Sequence, residues 1–379
     1  MKRRKFMNCT LSAVAVIGSS NVIGCTTQSK SAVDSQSVEA EISQRWFMPD
    51  EAALHKRTWM AFGANAEIWG EDYLIGVQEN IAQIARTIAR YEPVVMLVRP
   101  EERSLAEQLC GSNVQFLATS LDDVWVRDTG AVFLTKSQRR LAGIDFNFNG
   151  WGGKQDHTND KEVAQRLLEF ADAEGITTSI VAEGGAIEVD GQGTAIITES
   201  CILNDNRNPG LTKEECDRLL KSLLGVQKII WLPGIQGKDI TDGHTDFYAR
   251  FARPSVVVVG LEPDPNSFDY NVTREHLKIL KTATDAQGRE LEVIRIEAPR
   301  KLRFPDKTDN FAAGYINFYV INGAVLMPEF GDPEADENAR KTLVQLFPER
   351  EVVQLNIDTL AAGGGGIHCV TQQEPQAIA

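Results

Sequence analysis

Hydrophobic and polar positions recur in one order along most of the chain: two short alternating stretches joined by a turn, a helix-length amphipathic stretch, then a more continuously apolar run. AIEVDGQGTAIITES predicts a hairpin turning at Gly191-Gln192-Gly193. TKEECDRLLKSLL predicts a helix capped by Thr212 with Glu215 three residues on, and VQKIIWLPG predicts a buried strand. The same order returns in TDFYARFARPSVVVVGL, TREHLKILKTATDA and ELEVIRIEAP, and again in NFYVINGAVLMPEFG, a helix over about 333–346, and EVVQLNIDTL. An earlier unit runs through GAVFL, LAGIDFNFN, the helix DKEVAQRLLEFADAEG and the strand TTSIVAE. A fifth is split: TWMAFG, the helix YLIGVQENIAQIARTIARYE and PVVMLVRP lack one strand, which the tail after Gly366 is expected to supply.

Each such unit leaves an apolar sheet face uncovered, so five of them stack around an axis and the two chain ends close the ring. The expected fold is α/β, a five-bladed pseudosymmetric propeller of ββαβ units forming a single catalytic domain over 46–379. Chemically distinctive residues fall at the joints between units: Asp128 in WVRDTGAVF, Glu183 in AEGGAIEV, His244 and Asp246 in DGHTDFY, and Cys369 in GGGGIHCV. They are separated by 55 residues (128 to 183), 63 (183 to 246) and 123 (246 to 369), the last gap being about two units long. Equivalent positions in a closed ring face a common centre, which makes these five residues one expected site.

The chain begins MKRRKFMNCTLSAVAVIGSSNVIGC, with a basic start and a short apolar run, which reads as an export signal over 1–25. Arg3-Arg4 has the twin-arginine pattern, and Val22-Ile23-Gly24-Cys25 has the form of a lipoprotein cleavage box. The run is too brief to span a bilayer as a helix. A polar stretch over 26–45 then reads as a flexible tether. The expectation is an exported protein, periplasmic or membrane-anchored, touching the membrane only through a lipid on Cys25. Among 379 residues the formal net charge is -14, which argues against nucleic acid as a partner and suits a cationic one. Cys110, Cys201, Cys216 and Cys369 are scattered, so neither a zinc site nor a disulfide framework is indicated, and pairing among Cys110, Cys201 and Cys216 is left open.

A thiol, an imidazole and three carboxylates suit nucleophilic catalysis, with Cys369 attacking and a histidine managing protons. His368 adjoins Cys369, but neighbours on a strand point to opposite faces, so His244 is the expected proton carrier. The excess of carboxylates is informative. Acyl transfer builds negative charge on an oxygen and needs N–H donors, which disfavours a protease or amidase. Carboxylates instead suit a planar guanidinium, whose paired N–H groups they accept. No HxxxH or second ligand pair accompanies His244-Thr245-Asp246, so no metal is expected.

WVRDTG, FNGWGGK, EGGAIEVDGQGTAIITESCILNDNRNPGLTKEE, DGHTDFYARFARP, FGDPEAD and GGGGIHCVTQQEP resemble the agmatine deiminase family, also described as bacterial-type peptidylarginine deiminases. The resemblance extends from Met48 to about Pro375 and implies a five-bladed α/β propeller that works without a cofactor. It implies hydrolysis of agmatine to N-carbamoylputrescine and ammonia through a covalent thiouronium on Cys369. By the same resemblance His244 carries protons, Asp128 and Asp246 clamp the guanidinium, and Glu183 orients the imidazole. Gly365 and Gly366 are expected to let substrate approach the backbone, and Trp125 either stacks on a cationic tail or belongs to the core. Two other readings stand beside it: deimination of arginine in peptides, and a guanidine-binding lipoprotein without turnover. A homodimer is compatible with either. The chain departs from the family pattern at Ala131, Phe62-Gly63 and Asp242, positions expected near the substrate-tail side.

Overall fold

The computed structural model describes residues 45–136, 140–303 and 311–377. The expected export signal with Cys25, and the tether up to residue 44, lie outside the described residues.

The first blade contains β1 (His55–Phe62), α1 (Glu71–Ile88), β2 (Val94–Val98), α2 (Arg103–Cys110) and β3 (Val114–Ala118). The second holds β4 (Val132–Lys136), β5 (Arg140–Asp145), α3 (Val163–Ala171) and β6 (Glu174–Thr177). In the third are β7 (Ile187–Val189), β8 (Thr194–Thr198), α4 (Lys213–Leu224) and β9 (Lys228–Leu232). The fourth is β10 (Ala249–Arg253), β11 (Val256–Leu261), α5 (Asp269–Thr282) and β12 (Glu292–Glu297). The fifth is β13 (Tyr319–Ile321), β14 (Ala324–Glu329), α6 (Pro333–Leu346) and β15 (Glu351–Asn356). In blades two to five the first two strands pair antiparallel and the helix returns the chain to a third, parallel strand. The tail strand β16 (Gln372–Pro375) pairs antiparallel with β1, with Gln372 opposite Trp59, and so closes the ring of blades.

Local chemistry accounts for these elements. Thr212 and Glu215 form a reciprocal capping box on α4. The β7–β8 turn is held by Asp190, whose Oδ1 accepts the N–H groups of Gln192 and Thr194 at 2.8 Å each, while Gly191 and Gly193 take positive φ. α1 buries Val77, Ile81, Ile84, Ala85 and Ile88. Each large apolar side chain so buried contributes about 1.5–3 kcal/mol.

Two details differ from the sequence expectation. The first blade carries an extra helix and strand, α2 and β3, so its sheet has four strands in the order β16-β1-β2-β3. In the second blade α3 stops at Ala171, where Asp172 turns left-handed at φ 53, and the parallel strand is Glu174–Thr177 rather than the following TTSIVAE. Ile180 and Ala182 of that stretch are buried, but its backbone bonds go elsewhere: Val181 N–H to Asn208 Oδ1 at 3.0 Å and Ala182 N–H to the Phe146 carbonyl at 3.1 Å. An apolar run thus enters the core without joining a ladder. The four described cysteines are buried and unpaired, and none forms a disulfide.

Candidate active site

The turns leading into the first strands of the blades meet at one place. Asp128 lies in the one-turn helix Val126–Thr129 ahead of β4, and Glu183 stands just before the 3-10 turn Gly184–Ala186 ahead of β7. His244 precedes the 3-10 turn Thr245–Phe247, which contains Asp246, ahead of β10. Cys369 comes just before β16. Their backbones interlock: Arg127 N–H donates to the Cys369 carbonyl at 3.2 Å, and Thr245 Oγ1 donates to the Ala186 carbonyl at 2.7 Å. The remaining blade contributes Asn317, ahead of β13, whose Nδ2 donates to Cys369 Sγ at 3.3 Å. This residue was not anticipated, although the repeat supplies the signal: position 317 divides the long gap from 246 to 369 into 71 and 52 residues.

A cavity of about 550 Å³ opens over these turns, with Trp69, Trp125, Asp128, Trp151, His244 and Cys369 in its wall. Gly365 also lines it; Glu183 and Gly366 are buried and outside the wall, and the buried Asp246 borders the cavity through Cys369. His244 is held from two sides, Nδ1 lying 3.7 Å from Asp128 Oδ1 and Nε2 lying 3.3 Å from Glu183 Oε2. Asp246 Oδ2 is 3.7 Å from Cys369 Sγ, and Asp246 Oδ1 is buried with no hydrogen-bond partner among the described residues. Buried polar atoms are rarely left so, which makes this oxygen an acceptor in want of a donor.

Gly185 explains how three polar groups come so close. A Cβ on it would lie 2.6 Å from His244 Nδ1, 2.9 Å from Asp128 Oδ1 and 3.1 Å from Asp246 Oδ2. Only a hydrogen fits there. The two glycines singled out before Cys369 serve packing first. A Cβ on Gly365 would sit 2.3 Å from the Trp125 ring, and one on Gly366 would sit 2.4 Å from Asn317 Oδ1. Trp125 is buried, stacked on Trp69 with ring centroids 5.7 Å apart, and both indole N–H groups donate to Asp123. It is core and cavity wall together.

The electrostatics divide the carboxylates. Burial pushes Asp128 up to about 6, helped by the nearby Asp246 and Glu183 and opposed by His244 and by the Trp151 indole N–H, which donates at 2.9 Å. Glu183 is buried too, yet its pKa is lowered, because the His244 hydrogen bond and the Arg207 guanidinium outweigh burial. Burial acts against a charged His244, but Asp128, Cys201 and Glu183 hold its pKa well above the usual value. The Cys369 thiol is pushed well up by burial and by Asp246 and Asp128, against the Gly366 N–H and Asn317. The uncharged thiol and charged imidazole are therefore the resting forms.

Glu183, Cys201 and His244 bring ligand atoms within 4.8 Å of one another, near enough to suggest a metal. Arg207 Nε already donates to both Glu183 oxygens, at 2.8 and 3.0 Å, and Cys201 Sγ lies 3.4 Å from Glu183 Oε2. Glu183 therefore already has a fixed cation, the Arg207 guanidinium, as its charge partner.

A family model described as Porphyromonas-type peptidyl-arginine deiminase matches residues 47–375. The chain belongs to this family. An agmatine deiminase of Stutzerimonas stutzeri is 38% identical over 353 residues, covering 87% of this chain and 95% of that protein. A Streptomyces coelicolor relative, provisionally named an agmatine deiminase, is 43% identical over 338 residues, covering 87% and 98%. The solved structure of the agmatine deiminase of Enterococcus faecalis superposes with a TM-score of 0.81 at 30% identity, covering 88% of this chain and 96% of that one. The likeness extends across the whole ring of blades.

The deiminase family's motifs in this chain include residues whose position was not read from the sequence. Trp151, in FNGWGGK, adopts φ 54 and aims its indole N–H at Asp128. A bulky residue in that region marks local strain, which the Asp128 hydrogen bond offsets. The three departures from the family pattern are all outside the cavity lining. Ala131 and Phe62 belong to the core, a Cβ on Gly63 would meet the Asp123 carbonyl at 2.2 Å, and Asp242 is buried against Arg207, so none lines the cavity.

Proposed function

We propose that the chain is a hydrolytic deiminase whose substrate is agmatine, converted to N-carbamoylputrescine and ammonia. The observation that carries this is the set of carboxylates around the thiol: among the described residues no lysine or arginine forms an ion pair with Asp128 or Asp246. A planar guanidinium brings paired N–H donors to both, including one for Asp246 Oδ1, which has no partner among the described residues. Its arrival next to Cys369 offsets the two anions that hold the thiol protonated, so binding itself favours the thiolate, and the thiol proton passes to solvent because His244 already carries its own.

The thiolate attacks the guanidinium carbon and a C–S bond forms as the C=N electrons move to nitrogen. His244, charged at rest, protonates the departing nitrogen; the C–N bond breaks, ammonia leaves and a thiouronium remains. Water then adds to the same carbon, giving one proton back to His244; the C–S bond breaks as the C=O forms, and the hydroxyl proton goes to the departing sulfur, releasing the ureido product and restoring the thiol. Glu183 keeps the imidazole oriented throughout. Holding the carbon against the sulfur is a positional effect that supplies several orders of magnitude in rate.

The charge of the cavity wall favours agmatine over arginine. Asp239, Glu262 and Asp269 line it, and burial together with the first two pushes Asp269 up to about 6. These carboxylates outnumber Lys238, the one lysine of that wall among the described residues, so a second cation such as the distal ammonium of agmatine suits the lining better than a carboxylate does. Ammonia release from agmatine, free arginine and an arginine peptide tests the assignment: turnover of the peptide with silence on agmatine keeps the chemistry and overturns the substrate. Export and lipidation of Cys25 belong to the same proposal, supported by the leader sequence; Cys25→Ser leaving the enzyme in the membrane fraction would overturn the anchor.

A further inference from the structure

The two oxygens of Asp246 are in different situations, and one imidazole is responsible. Oδ2 lies 2.7 Å from His368 Nδ1, while Oδ1 has no partner among the described residues. His368 is itself fixed: Nε2 lies 2.7 Å from Glu51 Oε2, and its main-chain N–H donates to Asn317 Oδ1 at 3.0 Å. Glu51 is anchored in turn by the Val320 N–H at 2.8 Å and by Arg250, whose Nη2 lies 2.7 Å from Oε1 as an ion pair without hydrogen-bond alignment. All of these side chains are buried.

Each imidazole nitrogen faces a carboxylate oxygen at hydrogen-bond distance, so two protons must be supplied. Both carboxylates are below their ordinary range. In Glu51 burial is outweighed by Arg250 and His368, and in Asp246 it is outweighed by the His368 hydrogen bond and charge. Burial, Arg127 and Arg250 pull the imidazole pKa down; whichever of the three groups carries the two protons, the 2.7 Å contact with Nδ1 engages Asp246 Oδ2.

We infer that His368, braced by Glu51, is a positioning residue for guanidinium capture: it commits Asp246 Oδ2 and leaves Oδ1 as the acceptor for the substrate. The inference rests on the deiminase reading of this cleft. A carboxylate turns freely about its Cβ–Cγ bond unless one oxygen is held. Unheld and 3.7 Å from the thiol, Asp246 gains nothing from keeping an oxygen free for substrate. The histidine beside the nucleophile therefore acts on the clamp rather than on the reacting proton.

The test uses two side chains that each replace one imidazole nitrogen. In His368→Asn the amide reaches Asp246 and loses Glu51; in His368→Gln it reaches Glu51 and loses Asp246. The readout is the rate of Cys369 alkylation by a cationic haloacetamidine divided by that by neutral iodoacetamide, a ratio that reports the clamp without agmatine. His368→Gln should lower this ratio about tenfold or more, and His368→Asn should stay within about threefold of the parent, with similar losses in Tm. Agmatine KM should rise in His368→Gln more than kcat falls. An unchanged ratio in His368→Gln, or equal loss in both variants, overturns the inference. So does a parent ratio near one, which removes the clamp itself. Absence of ammonia release from agmatine, with the ratios as expected, overturns the substrate and leaves this role standing.

Discussion

Two groups of buried carboxylates lie close together and are treated oppositely by the fold. Behind the site, Glu51, Glu183, Glu188 and Asp242 each meet an arginine: Glu51 and Glu188 share Arg250, while Glu183 and Asp242 share Arg207. At the cavity, Asp128 has only His244 within ion-pair distance and is pushed up to about 6. The sign of the linkage differs accordingly. Glu183, with its pKa lowered, adds stability that is present at neutral pH and lost as pH falls through its folded value. Asp128, with its pKa raised, favours the fold in acid and loses that contribution as pH rises through about 6. The paired set holds the structure, and the unpaired one holds a cost that a bound cation removes.

The sharpest way to break this contrast is at the nucleophile. Cys369→Ser should lower ammonia release from agmatine by about 10⁴-fold or more while leaving the carboxylates in place. Calorimetry should still detect agmatine binding to this variant, and loss of binding along with turnover would show that the sulfur, not the anions, captures the ligand.

Next comes Gly185→Ala. The added Cβ would lie 2.6 Å from His244 Nδ1, so the imidazole and the Asp128 carboxylate must separate. We expect a loss of about 10²–10³ in kcat/KM with folded circular dichroism retained, since displacements of this order misalign catalytic groups. Near-normal activity would mean that the three groups need not converge.

A third effect is of pH. As pH falls through about 6, Asp128 gains a proton and half of the clamp is neutralised, so kcat/KM for agmatine should drop toward tenfold per unit. A bound guanidinium favours the ionised form, so the acid limb of kcat should lie lower. Trp151→Phe removes an N–H that holds this pKa down and should move the limb upward. A limb that stays in place in Trp151→Phe would assign it to another group.

Much of this architecture is legible in the chain because the ββαβ order repeats with its own turn and capping signals, as at Thr212 and Gly191 to Gly193. The short α2–β3 addition is not, because RSLAEQLC and VQFLA resemble an ordinary connection. TTSIVAE misleads for the opposite reason: apolar residues mark burial, and a strand also needs a ladder partner. Within the site, residue type exposed the groups with distinctive chemistry, Cys369 and His244 above all. It gave no hold on Asn317, Glu51 or Gly185, whose importance lies in what stands opposite them. Asn317 was the most accessible of these, since the ring predicts a fifth contributor and the spacing shows where to look.

The smallest expected effect tests the paired side. Asp242, one of the departures from the family pattern, holds φ 64, a conformation asparagine also tolerates. Its Oδ1 accepts the Gly237 N–H at 2.8 Å, and its Oδ2 takes Arg207 Nη1 at 2.8 Å and Lys154 Nζ at 2.7 Å. In Asp242→Asn the Gly237 bond survives, while the new amide faces two cations. Arg207 keeps its bonds to Glu183 and to the Thr241 carbonyl, so His244 stays oriented. The cost should fall on stability, about 1–3 kcal/mol, with kcat/KM changed less than about threefold. Denaturant melts and agmatine kinetics on one preparation separate the two. A large kinetic loss here would erase the division between structural and substrate-facing carboxylates, because it would show that Asp242 reaches the chemistry through Arg207 and Glu183.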